Sequence, residues 1–126
     1  MGIQSEIITA TVDASGDATV YSQYRYGDLD TIEYIPDGTN PYANTVDLTI
    51  TNERSTEAVL SQSNVSAAFR LRPTAAVHDT TGSARLYAAG GTGVSAPFSF
   101  GGDRLKIVIA QGGVSKTGTF RINWRV

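Results

Sequence analysis

Three stretches of the chain alternate apolar and polar residues with a period of two, the spacing at which side chains share one face of a β-strand. In Thr119-Phe120-Arg121-Ile122-Asn123-Trp124-Arg125-Val126, the apolar Phe120, Ile122, Trp124 and Val126 point one way and the polar residues the other. In Leu105 to Ala110, Leu105, Ile107 and Ile109 share a face, with Lys106, Val108 and Ala110 opposite. Val46, Leu48 and Ile50 repeat the pattern between Asp47, Thr49 and Thr51. A slip of one residue in the last strand would put Trp124 in water and Arg125 in the core, so its register is firmly specified.

Between the two C-terminal alternations, Gln111-Gly112-Gly113 supplies residues that tolerate positive φ, which predicts a β-hairpin over Arg104 to Val126. Glu6 to Val12 and Ala18 to Ser22 read as strands on either side of the turn Asp13 to Asp17. Tyr21 to Tyr26 and Asp28 to Ile35 continue as strand and stop at Pro36-Asp37-Gly38. Thr39 to Asn44 is a loop, which Tyr42 pins to the body. Ala58 to Ser61, Asn64 to Arg72 (closed by Pro73) and Val94 to Phe100 are further strand candidates; Phe98 and Phe100 share a face. Thr74 to Gly93 follows neither period. Seven to nine short strands without a long helix predict an all-β, single-domain antiparallel β-sandwich or β-barrel over 1–126. Residues 1–6, lacking an obvious partner within the chain, are expected to be a flexible N-terminal arm.

Composition narrows the function. The net charge is −2 with no basic block, which argues against a nucleic-acid partner. No apolar run approaches the roughly 20 residues that span a bilayer, so no membrane role is expected. The start Met1-Gly2-Ile3-Gln4-Ser5-Glu6 does not read as a secretion signal. The absence of cysteine excludes disulfides, thiolate metal sites and cysteine nucleophiles.

No motif assembles catalytic, metal or cofactor chemistry. Asp13-Ala14-Ser15-Gly16-Asp17 has oxygen ligands at alternate positions but lacks the downstream bidentate glutamate of a calcium loop, and these are ordinary turn residues. The single histidine, His78, adjoins Asp79, but neighbours on extended backbone point to opposite faces, and no Gly-x-Ser-x-Gly elbow is present. Gly90-Gly91-Thr92-Gly93 does not lead to Lys-Ser/Thr, so it is no phosphate loop. The chain is therefore expected not to be an enzyme and to need no cofactor. The residues that invite a partner are Tyr24, Arg25 and Tyr26, since Tyr and Arg concentrate at interfaces. The pair Arg70 and Arg72 could meet an acidic surface, and Ile3 belongs to the expected arm. For Tyr24, Arg25 and Tyr26 and for the arginine pair, an ordinary strand face is the plainer alternative.

Four stretches together resemble small β-rich virion proteins of tailed bacteriophages: Asp30 to Pro41, Val46 to Thr51, Arg85 to Thr92 and Arg104 to Thr119. They cover about half the chain and are turn-and-strand signatures rather than chemical motifs. Within that group the best-fitting role is the head decoration, or cement, protein. The resemblance implies a homotrimer bound to the major capsid protein on the outer surface of the virion. Tail or connector subunits come from the same group, and a carbohydrate- or host-binding module is the alternative from outside it.

Overall fold

The computed structural model describes residues 2–126. Its eleven strands are β1 (Ile3–Thr11), β2 (Ala18–Tyr21), β3 (Arg25–Pro36), β4 (Asp47–Asn52), β5 (Ala58–Gln62), β6 (Phe69–Leu71), β7 (Thr74–Ala76), β8 (Ser95–Pro97), β9 (Ser99–Asp103), β10 (Leu105–Ala110) and β11 (Thr117–Arg125). Every pairing is antiparallel. Sheet A runs β1-β11-β3, and the far side of β3 is shared by β9 along Arg25–Asp28 and β6 along Ile32–Tyr34. Sheet B runs β2-β10-β4-β5, and β7 with β8 forms a separate ribbon. The architecture is the expected all-β sandwich; the strand number exceeds the expectation because β6 to β9 are short pieces within less periodic sequence.

The core lies between the two sheets. Ile32, Phe120, Ile122 and Trp124 of sheet A meet Leu48, Ile50, Leu105, Ile107 and Ile109 of sheet B, all fully buried. These side chains come from the three alternating stretches and from β3, so strict periodicity identified the core face correctly. Burying each aliphatic or aromatic group stabilises the fold by about 1.5–3 kcal/mol before conformational entropy is set against it. Val126 departs from the pattern: it follows the last strand and is exposed. Tyr42 pins its loop as expected, its hydroxyl donating to the Ala10 carbonyl at 2.6 Å.

The expected C-terminal hairpin is absent. β10 pairs with β2 and β4 in sheet B, whereas β11 pairs with β1 and β3 in sheet A, and Gln111 to Lys116 carries the chain across the sandwich. A hairpin and a crossing between facing sheets leave the same alternating pattern, because each strand needs only one face toward the core. The positive φ angles that the glycines suggested do occur, at Gln111 (59°), Gly113 (90°) and Ser115 (54°), but they shape a crossing. Asp13 to Asp17 likewise links β1 in sheet A to β2 in sheet B. The two crossings stack: Gly112 N donates to Gly16 O at 2.9 Å, Ser115 N to Asp13 O at 3.2 Å, and Val12 N to Lys116 O at 2.9 Å. A Cβ on Gly16 would lie 3.0 Å from the nitrogens of both Gly112 and Gly113, so the stack depends on glycine there.

The N-terminal segment is also not an arm. Ile3 to Glu6 pair with Arg125 to Ile122, and Gly2 exchanges hydrogen bonds with Val126 (N to O 3.1 and 3.0 Å). The partner that the sequence conceals is the distant β11, 118 positions away for the Ser5–Asn123 pair. Met1, the remaining residue of the expected arm, lies outside the described residues.

Candidate contact surface

The pairing register of sheet A gathers its outward side chains into rows. Ile7 of β1 stands opposite Arg121, Arg121 opposite Glu33, and Glu33 opposite Arg70. One row over, Asn123 Nδ2 donates to Thr31 Oγ1 at 2.8 Å and Asn123 Oδ1 accepts from the Ser5 hydroxyl. A β-bulge at Asn123/Trp124 leaves Asp30 and Thr31 both outward. Asp30 Oδ1 then receives Arg72 Nη1 and Arg125 Nη2, each at 3.2 Å, clamping β6 to β11 across β3. The arginine heads stand well clear of the sheet while Asp30 sits low in it.

Apolar groups are interspersed with these charges. Ile3 is 62% exposed and Ile7 65%, on the same side of β1, and Ile35 is exposed on β3. Tyr26, opposite Gly101 of β9, is 72% exposed, and its hydroxyl lies close over Gly102. A shallow open cleft of about 310 Å³, lined by Gly27, Asp28, Arg125 and Val126, ends the face where β3 meets β11. Four of the sequence candidates, Ile3, Tyr26, Arg70 and Arg72, therefore share one face. Arg121, Arg125, Ile7 and Ile35 complete it; the outward parity of the two arginines was legible, but that of the isoleucines and the company of all four required the strand order.

Tyr24 and Arg25 do not belong to that face. Arg25 turns inward to the sandwich edge, where Nε and Nη2 donate to Glu6 Oε1 at 3.2 and 3.0 Å and Nη1 to Gln4 Oε1 at 3.0 Å. Its guanidinium carbon lies 5.9 Å from the Trp124 ring centre, and its side chain is only 16% exposed. The bulge between Arg25 and Tyr26 breaks the simple flanking that the Tyr-Arg-Tyr spelling suggests. Tyr24 instead stacks on Arg104, which is held between Tyr21 (4.1 Å to the ring centre) and Tyr24 (4.8 Å). Glu53 grips Arg104 from the side through Nε–Oε1 at 2.7 Å and Nη2–Oε2 at 3.0 Å. The guanidinium's hydrogen bonds hold the Glu53 carboxyl below the ordinary carboxylate range. This second patch is thus a closed arrangement whose charges already satisfy one another.

The aperiodic stretch after Pro73 forms the ribbon β7–β8 and two successive turns beyond it. Its backbone bonds run mostly within itself: Val77 N to Val94 O at 2.9 Å, Arg85 N to Val77 O at 2.7 Å, and Tyr87 N to Thr92 O at 2.9 Å. His78 is exposed, and the Asp79 carboxylate accepts from Thr81 N, Thr81 Oγ1 and Ser83 N, at 2.9, 2.7 and 3.0 Å. Those bonds lower the Asp79 pKa, led by the Thr81 hydroxyl; the carboxylate shapes a turn and does not orient the imidazole. Asp13 plays the same part in its own turn, accepting from Ser15 N and Asp17 N at 2.9 and 3.1 Å.

Among the described residues, no three or more His, Cys, Asp or Glu side chains are arranged to hold a metal ion, and no helix is long and apolar enough to cross a membrane. Trp124 is wholly buried, edge-on to Phe100 at 4.7 Å, so it offers no stacking platform for a sugar. What the geometry provides is a broad, mixed arginine and isoleucine face on sheet A.

No family model matches the chain, and no curated protein matches it. Among solved structures, one described as "Crystal Structure of FLHE" aligns over 100% of both chains with a TM-score of 0.47 and 10% sequence identity, a likeness too distant to carry function.

Proposed function

We propose that this chain is a non-enzymatic structural subunit that acts by surface contact, as a decoration protein on the outside of a phage capsid. The observation that carries contact as the mode of action is the outer face of sheet A, where Ile3, Ile7, Ile35 and Tyr26 stand exposed among Arg70, Arg72, Arg121 and Arg125. Arginines with aromatic and aliphatic neighbours are the anchors of protein interfaces, and a patch of about 600–1,000 Å² per partner suffices for specific association. The capsid setting rests on the likeness of Asp30 to Pro41, Val46 to Thr51, Arg85 to Thr92 and Arg104 to Thr119 to small virion proteins. Many weak contacts repeated over a symmetric shell add up through effective concentration, so a modest interface per subunit is enough to reinforce it.

The test is to image intact particles that carry the chain and then those in which Arg72→Glu and Ile35→Asp are combined. The reading requires density over the capsid lattice that the double variant loses while still folding. Density confined to the tail, or a chain absent from particles altogether, overturns it.

A further inference from the structure

β1 is a long sheet edge with little of the usual protection. It pairs with β11 over nine consecutive residues without a bulge, and among the described residues no strand pairs with its other side. Edge strands normally carry lysine, proline or a bulge that discourages a second chain from pairing. β1 has none of these; its one safeguard is the inward-pointing Glu6, whose charge Arg25 neutralises.

The direction of the free backbone groups follows from the pairing. Gly2 and Val126 bond each other both ways, so the alternate residues Gly2, Gln4, Glu6, Ile8 and Ala10 address β11. Ile3, Ser5, Ile7, Thr9 and Thr11 therefore direct their N–H and C=O groups away from the sheet. Among the described residues these groups have no partner. The same residues carry the exposed Ile3 and Ile7.

We infer that the β1 edge is a self-association surface, on which β1 of a second copy pairs antiparallel across a twofold axis and joins two sheets A into one. The occupant is a second copy because β1 complements itself. With Ser5 on the axis, Ile3 of each copy faces Ile7 of the other, and no like charges are brought together along the seam. The other edges match β1 poorly: sheet B ends in the four-residue β2 and the five-residue β5, and the far side of β3 is divided between β6 and β9. A twofold pair also differs from the threefold arrangement that the family resemblance implies. The inference stands apart from the capsid reading, since it concerns the purified chain alone.

Sedimentation over a concentration series tests it, together with amide exchange and two variants. The wild-type chain is expected to form dimers, with exchange at Ser5 and Ile7 slowing as concentration rises. Ile7→Lys, at an exposed position, should weaken the dimer by about tenfold or more while leaving the thermal midpoint near that of the monomeric fold. In this cysteine-free chain, Ser5→Cys should yield a disulfide-linked dimer, and Thr51→Cys on the outer face of sheet B should not. If Ile7→Lys proves unable to fold, the cross-link and the Ser5 and Ile7 exchange decide. A chain that stays monomeric at its highest soluble concentration overturns the inference. So does an oligomer in which Ser5 and Ile7 amides exchange freely and Ser5→Cys forms no cross-link.

Discussion

The ring of Tyr42 rests directly on the α-carbon of Gly118: a Cβ built there would meet Tyr42 Cε2 at 2.5 Å, Cζ at 2.9 Å and Tyr34 Cε1 at 3.0 Å. Tyr42 and Tyr34 are stacked with centroids 6.0 Å apart and planes 2° from parallel, so neither ring can retreat independently. Gly118→Ala is therefore expected to destabilise the fold by about 1–3 kcal/mol, the usual range for an overpacked core. Urea unfolding of the two proteins measures it. Equal midpoints would mean that the tyrosine pair yields more readily than its geometry indicates.

Stability should fall at alkaline pH. Burial raises the pKa of Tyr34 and, more strongly, that of Tyr42 above the ordinary 10.0, the nearby Tyr34 adding to the shift at Tyr42. Above about pH 10 the unfolded chain releases protons that the folded chain retains, so the stabilisation is complete below that pH and declines as pH rises beyond it. For Tyr42 the decline approaches about 1.4 kcal/mol per pH unit, and Tyr34 adds to it in the same direction. Tyr42→Phe should flatten the decline while costing about 1 kcal/mol at neutral pH, because it removes the hydrogen bond to Ala10 O. Denaturant midpoints at pH 8 and pH 11 distinguish the two proteins.

Arg25 acts as a fastener for β1. Arg25→Ala would remove the three bonds to Glu6 and Gln4 and leave Glu6, whose side chain is 11% exposed, with only the Gln23 amide at 2.8 Å. A loss of roughly 1.5–3 kcal/mol is expected. Amide exchange should quicken at Gln4 and Glu6 and stay unchanged at Ile107 and Ile109, which lie in the other sheet.

Gly27 allows β3 and β11 to close together. It adopts φ +115°, and a side chain there would collide with the Arg125 carbonyl oxygen. Gly27→Ala should cost about 2 kcal/mol or more, from strain and displaced backbone together. The Phe100–Trp124 contact should be disturbed with it, which near-ultraviolet circular dichroism would register.

What could be read in advance depended on the range of the interaction. Leu48, Ile50, Leu105, Ile107, Phe120, Ile122 and Trp124 announced their inward face because period-two alternation is a local property of each strand. Which strands pair is not local. Gln111-Gly112-Gly113 permits a hairpin and a crossing equally, and only the company of β2 and β4 on one side and β1 and β3 on the other decides. The same limit hid the partner of Ile3 to Glu6, and it hid the ion pair that draws Arg25 away from any outside surface. Arg70 and Arg72 were recognised as an outward pair, but Asp30, which Arg72 shares with Arg125, entered only through a bulge that spacing does not reveal.

The chain crosses between sheets A and B at β1–β2, β2–β3, β3–β4, β5–β6, β9–β10 and β10–β11. A nascent polypeptide of this topology can pair sheet B, and β3 with β6 and β9, before Thr117 is made, but β1 and β3 wait on either side of a vacancy that Thr117–Arg125 fills. The ribosome must therefore deliver nearly everything before β1 can dock and sheet A can close. A release interrupted just before Thr117 would leave β1 a strand without a partner beside an open sheet, ready prey for proteases and chaperones.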